Sequence, residues 1–196
     1  METLSLEKTQ EIVQAVQGLY ARKDPAHDLE HALRVRSWGQ KIAVEENANI
    51  IVIELAALLH DIGRSGTVEK THAESSAGLA ETILQKNGYS QEIILQVKEA
   101  VIAHSRETCE PQSLEAKILY DADKLDYVGA VGIARLFSLA GSLGIPLFGE
   151  NSCESFYHER IKKYEQYLNT DSAKRYFRPL FSYMEDFWIQ IKKQMT

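Results

Sequence analysis

The sequence lacks most of the features that would take it out of the ordinary globular class. It has only two cysteines, Cys109 and Cys153, and neither sits in a CxxC pair. That excludes a disulfide framework and suits a reducing compartment. No apolar run approaches the roughly 18 residues of a membrane span; the longest, Ile50 to Leu59, is interrupted by Glu54. The first ten residues, METLSLEKTQ, carry two glutamates and no apolar core, unlike a signal peptide. A basic excess is missing as well: 22 Lys and Arg stand against 28 Asp and Glu, a formal charge of −6. Stable nucleic-acid binding needs a basic face, so that class is excluded, whereas a small anionic substrate needs only local cations. Hydrophobic residues at 44% of 196 are enough for one folded domain with a full core. The expectation is a cytoplasmic chain with no membrane partner.

Prolines are few (Pro25, Pro111, Pro146, Pro179), and the segments between them repeat with helical rather than alternating periodicity. Leu6, Ile12, Val13, Val16 and Leu19 form one stripe. Asp24-Pro25 reads as an N-cap and first turn for a helix carrying Leu29, Ala32, Leu33, Val35, Trp38 and Ile42. Asn49 opens IIVIELAALLH, apolar nearly all round and therefore buried, with Gly63 as its stop. Further helices are expected over Ala73 to Leu84, from Ser90 through Val101, and from about Ser113 through Ala122. GAVGIARLFSLAGSLG is small-residue rich, which suits close helix contact, and its Gly129 and Gly132 lack the context of a phosphate loop. Two long amphipathic helices, roughly Cys153 to Leu168 and Ser172 to Lys193, complete the chain. The expected fold is all-α: a single-domain helical bundle over 1–196, with a core at about 24–143 and a helical C-terminal cap at about 145–196.

Six histidines are present, and their phase is informative. His31 is in register with Val35, Trp38 and Ile42, and His104 continues Ile94, Val97 and Val101. His60 ends the buried helix and is followed at once by Asp61. Asp123 lies one turn beyond Leu119, with Asp126 and Tyr127 next on that face. A single inward histidine is usually a hydrogen-bonded core residue. Several imidazoles and carboxylates buried together are costly unless something pairs them, and a divalent cation does so. His158 reads as a surface group, and Tyr157, Tyr164, Tyr167, Phe181, Phe187 and Trp188 as core between the last two helices, with a nucleobase pocket or dimer face as the alternative.

The arrangement His31 … His60-Asp61 … Asp123 resembles the signature of the HD-domain metal-dependent phosphohydrolases, named for the His-Asp pair. HDLEHALRVRSWGQKIA, ELAALLHDIGR, THAESSAGLAETIL and ILYDADKLDYVGAVGIARLF, with the tail FYHERIKKYEQYLNT, are similar to the small bacterial nucleotide pyrophosphohydrolases of that superfamily. The likeness runs from about Asp24 to Trp188. It implies His31, His60, Asp61 and Asp123 as ligands of one divalent transition metal, manganese first, with Fe, Co, Ni, Zn or Mg as the others. It implies cleavage of (deoxy)nucleoside triphosphates to monophosphate and pyrophosphate by a metal-bound hydroxide. Arg34, Lys124 and Arg64 are the candidate phosphate cations, each otherwise a solvated surface charge. Asp126 would orient or deprotonate the attacking water, or simply pair with Lys124 or an arginine.

His72 and His104 fall where two-metal members of the superfamily add histidines. Those members commonly have two adjacent histidines where this chain has His104-Ser105, so a second ion is expected to be short of ligands unless His27 joins. The expectation is one tight metal, with His72 and His104 lining the phosphate path or holding a weak second ion. Arg64 replaces the glutamate that 5′-nucleotidases of the superfamily carry, which argues against monophosphates. The alternatives are a phosphomonoesterase or phosphodiesterase in the same site, a di-iron oxygenase, and a metal-dependent nucleotide-binding module without turnover. A homodimer remains open.

Overall fold

The computed structural model describes residues 4–20, 25–64, 71–105 and 109–195. The described residues form helices and connecting turns, with no strand among them. In chain order the helices are α1 (Leu6–Tyr20), α2 (Leu29–Glu46), α3 (Ile50–Leu59), α4 (His72–Lys86), α5 (Gln91–Ala103), α6 (Leu114–Leu125) and α7 (Gly129–Leu143). After them come α8 (Cys153–Glu159), a 3-10 turn (Ile161–Lys163), α9 (Tyr164–Tyr167) and α10 (Asp171–Met195). The all-α expectation holds. No helix among the described residues is long and apolar enough to cross a membrane.

The buried helix expected from Asn49 onward is α3, and it forms the centre of the bundle. All of its residues except Ile51 are buried, because α1, α2, α4, α5 and α6 surround it. Each Leu or Ile wholly removed from water there contributes about 1.5–3 kcal/mol. The one charge that interrupts the run, Glu54, is buried and satisfied: Arg36 and Gln40 donate to it at 2.5 Å and the Leu4 amide at 2.7 Å. Local chemistry fixes the helix starts. The side chains of Asn49, Ser90 and Ser113 each accept from the backbone of the first turn, and Thr71 with Glu74 forms a capping box at the head of α4.

Four expectations change, the first being the stop of α3, which ends at Leu59 and not at Gly63. The helix carrying His31 starts at Leu29 under the Asp28 cap, whose carboxylate accepts from the His31 amide at 2.8 Å; Pro25 lies in the turn before it, and Asp24 lies outside the described residues. Leu6, placed on the inward stripe of α1, is 75% exposed, since the bundle contact begins further along at Thr9 and Ile12. The helix expected over Cys153 to Leu168 breaks at Arg160. In a continuous helix Tyr164 would share a face with Tyr157 seven residues earlier. Tyr157 stacks on Trp188 in the C-terminal packing, whereas Tyr164 packs edge-on against Tyr127 at 5.8 Å, so the break sends the two rings to different places.

α10 is the long strap of the C-terminal half and packs on α7, α6 and α2. Its start is anchored by Asp121 of α6, which accepts from the Asn169 amide and side chain and from the Thr170 amide and hydroxyl at 2.7–3.1 Å. Asp121 thus ties the chain between α9 and α10 to the same helix that carries Asp123. Gly129 fulfils the close-contact expectation, since a Cβ there would lie 3.0 Å from Leu180 of α10, whereas a Cβ at Gly132 would meet the Tyr127 carbonyl of the preceding turn at 2.2 Å.

Candidate metal centre

Five helices deliver the side chains. α2 contributes His31, the end of α3 gives His60 and Asp61, α4 begins with His72 and α5 ends at His104, while α6 carries Asp123. His31, His60, Asp61, His104 and Asp123 are all buried.

The ring nitrogens show what the cluster is built for. His60 Nδ1 lies 2.8 Å from the Ala57 carbonyl and His104 Nδ1 lies 2.6 Å from the Val101 carbonyl. His31 Nδ1 lies 2.7 Å from Asp126 Oδ2. Carbonyls and carboxylates accept, so each Nδ1 carries the proton and each Nε2 is left with a bare lone pair. The lone pairs of His31 and His60 converge, their Nε2 atoms 3.2 Å apart, and His104 Nε2 lies 3.2 Å from His72 Nε2. Two acceptors facing each other without a proton between them need a cation. Asp61 stands between the pairs, its Oδ2 3.4 Å from His60 and 3.8 Å from His31, its Oδ1 3.5 Å from His104 and 3.8 Å from His72. Asp123 Oδ1 lies 3.4 Å from His31 Nε2. Asp61 Oδ1 and Asp123 Oδ1 are buried with no hydrogen-bond donor. The donor set therefore fits divalent metal as two groups, His31–His60–Asp61 and Asp61–His72–His104, each with donor atoms within 4.8 Å of one another.

The protonation states of His60, Asp61 and Asp123 agree. Burial pushes His60 down to about 3, keeping it neutral. Burial raises Asp61 and Asp123, but His60, His104 and Arg64 around the first, and Lys124 and His31 around the second, hold both well below the usual carboxylate range. For His31, burial is outweighed by Asp123 and Asp126, which raise it. Burial opposes the charge on Lys124, yet Asp123 beside it keeps its pKa above the ordinary value.

The other expected residues fall in three places. Asp126 sits behind His31; besides the ring it accepts two bonds from Arg34 (2.8 and 3.1 Å) and an ion pair from Arg135 at 2.9 Å. Arg34 is thus engaged on Asp126 and does not line the cleft over the cluster. Lys124 and Arg64 do line it, paired at 2.6 Å with Asp123 and at 2.8 Å with Asp61. His27 bonds the Tyr127 hydroxyl at 3.1 Å, and the second group of donors comes together without it.

That cleft has a volume of about 610 Å³; of its far wall, Tyr164 and Tyr167 had a nucleobase pocket as their alternative reading, whereas Arg160 and Lys163 had no functional reading in the sequence. Arg160, Lys163, Tyr164 and Tyr167 form that wall, from the segment after α8. No carboxylate lies within ion-pair distance of Arg160 or Lys163 among the described residues, while Arg160 lies over the Phe156 ring at 5.7 Å. In sequence, HERIKKYEQY reads as part of one amphipathic helix over about Cys153 to Leu168. The break at Arg160, which turns it toward the cluster, is a tertiary event. Tyr164 and Tyr167 thus leave the core role expected of them, which Tyr157, Phe181 and Trp188 keep. His158 is exposed, 3.9 Å from Glu154.

A histidine–aspartate cluster within an all-α core defines a metal-dependent hydrolase of the HD superfamily. The chain belongs to the HD domain family, whose model matches residues 28–128. It is 29% identical over 194 residues to the Bacillus subtilis protein YpgQ, covering 97% of this chain and 95% of that one. The crystal structure of YpgQ in complex with ADP is similar with a TM-score of 0.83 at 29% identity, over 96% of this chain and 95% of that chain. An HD-superfamily hydrolase from Bacillus thuringiensis is similar with a TM-score of 0.78 at 27% identity, over 96% and 97%.

Proposed function

We propose that the chain is a cytoplasmic nucleotide pyrophosphohydrolase, converting (deoxy)nucleoside triphosphates to monophosphate and pyrophosphate. One observation carries this: the cations Arg160 and Lys163, which no carboxylate among the described residues pairs, line one cleft with His72, His104 and Asp123, so phosphate anions can be held beside the metal-ligating cluster. The ADP complex of YpgQ supports a nucleotide as the anion. His31, His60, Asp61 and Asp123 would hold a divalent cation, manganese first. When bound, such a cation supplies Lewis acidity and brings the pKa of a coordinated water toward neutral. The remaining work belongs to the chain. Arg160 and Lys163 bind and orient the phosphates, Lys124 and Arg64 balance charge close to the aspartates, and Asp126 keeps the His31 proton on Nδ1.

The test is product analysis by ion exchange, with chelator-stripped protein, a panel of ribo- and deoxynucleotides and added Mn²⁺, beside Asp61→Ala. Monophosphate plus pyrophosphate is expected, dependent on metal and absent in the variant. Inorganic phosphate as the sole product would instead make the protein a phosphatase. The second complete donor group, Asp61–His72–His104, favours one alternative, a di-iron oxygenase. Its mark is tightly held iron and dioxygen uptake without nucleotide turnover.

A further inference from the structure

The cleft does not end at its far wall. Tyr127, Leu139, Phe156, Glu159 and Arg160 also line a second cavity of about 330 Å³, so the two spaces share one partition. The second cavity lies between α7, α8 and the turn joining them, and Leu136, Ala140, Ile145 and Ile161 make its wall apolar. The one buried cation against it, Arg135, has no charge to offer a ligand. Its guanidinium donates to the Ala26 carbonyl and to the backbone and side chain of Asp126. Ser152 and Ser155 on the rim are engaged with each other in the cap of α8. A phosphate chain would meet Arg160 only at the partition and, inside the space, the Glu159 carboxylate and apolar walls. A flat, weakly polar ring would find aliphatic walls, the Phe156 face and a volume within the range of small-molecule pockets.

We propose that this annex is the nucleobase site: the base enters between α7 and α8, and the phosphates extend past Arg160 toward the metal ligands. The inference rests on the nucleotide reading above and adds where the base is held. Arg160 is placed for the joint, because the residue lines both spaces and its guanidinium lies over Phe156. Stacking and burial of one base account for roughly a five- to hundredfold gain in affinity.

Filling the annex tests this. Ile145→Trp adds bulk at the rim, where Ile145 is 37% exposed, and Ala140→Leu adds it to the buried wall. Calorimetric titration of Mn²⁺-saturated protein with ADP and, separately, with pyrophosphate reads base and phosphate contacts apart. The expected result is a dissociation constant for ADP at least tenfold weaker in both variants, with that for pyrophosphate unchanged. An unchanged ADP constant in the folded variants would overturn the proposal, as would equal weakening of both ligands, which would mean a disturbed cleft. Melting curves check folding; if Ala140→Leu does not fold, the rim variant Ile145→Trp decides. Wild-type protein that binds Mn²⁺ but not ADP would overturn the nucleotide reading itself, and the annex with it, so the two failures are distinguishable.

Discussion

His31 differs from its neighbours by a single contact. His60 and His104 direct Nδ1 at backbone carbonyls, but His31 directs it at Asp126, which is itself clamped by Arg34 and Arg135. A carboxylate on the far nitrogen fixes the tautomer and makes the ring a stronger donor to metal. Asp126→Asn keeps the volume and weakens that partner. Its expected effect is a loss of about 10–100-fold in metal affinity, measured by competition with a fluorescent chelator. Arg34→Ala, which leaves Arg135 in place, should weaken affinity less. If Asp126→Asn lowers kcat while metal affinity stays intact, Asp126 acts on the attacking water instead. The sequence put Asp126 on the correct face and left both roles open, since one turn of helix separates a group that touches the reaction from one that stands behind a ligand.

Elements that owe their limits to local chemistry were legible in advance, and those set by tertiary approach were not. Asn49, Ser90 and Ser113 were readable as caps because each is followed by an apolar helical stripe. Gly63 was read as the stop of α3, yet the helix ends at Leu59 and Gly63 has another duty. Its amide donates to Ser76 Oγ at 2.9 Å, and a Cβ there would lie 2.3 Å from the Ser76 nitrogen and 2.6 Å from the Ser75 carbonyl carbon. Only glycine lets α4, and with it His72, pack this near to Asp61. Gly63→Ala is therefore expected to cost about 1–3 kcal/mol by overpacking. Gly78→Ala, in the same α4 but with nothing within 4 Å of its Cβ, should stabilise by about 0.5–1 kcal/mol. Urea unfolding of the two variants checks the pair, and equal shifts would show that α4 is not held by the Gly63 contact. Arg160 and Lys163 escaped the sequence reading for the same reason: a helix interrupted by the rival demands of Tyr157 and Tyr164 leaves no periodic trace.

At the scale of the molecule, an acidic chain with a net charge of −6 gathers cations at one cleft and holds phenols in its core and along that cleft. Burial raises the pKa of Tyr20, Tyr127, Tyr157 and Tyr164 above the ordinary phenol value, Tyr157 to about 12. The sign of the consequence follows from which state gives up its proton first. An unfolded chain loses phenol protons near pH 10, whereas the folded chain keeps them to higher pH. The folded state then binds more protons than the unfolded one, and stability falls as pH rises. Below about pH 10 these groups cost nothing; from there to about 12 the fold loses stability progressively. Urea midpoints measured from pH 8 to 11 should be level up to about 10 and then decline. Tyr157→Phe removes one such proton while keeping the stack on Trp188, so its decline should be shallower than that of the wild type. A variant that declines as steeply would show that the Tyr157 hydroxyl ionises in the folded protein as it does in water, and that the packing of α8 on α10 is open to solvent.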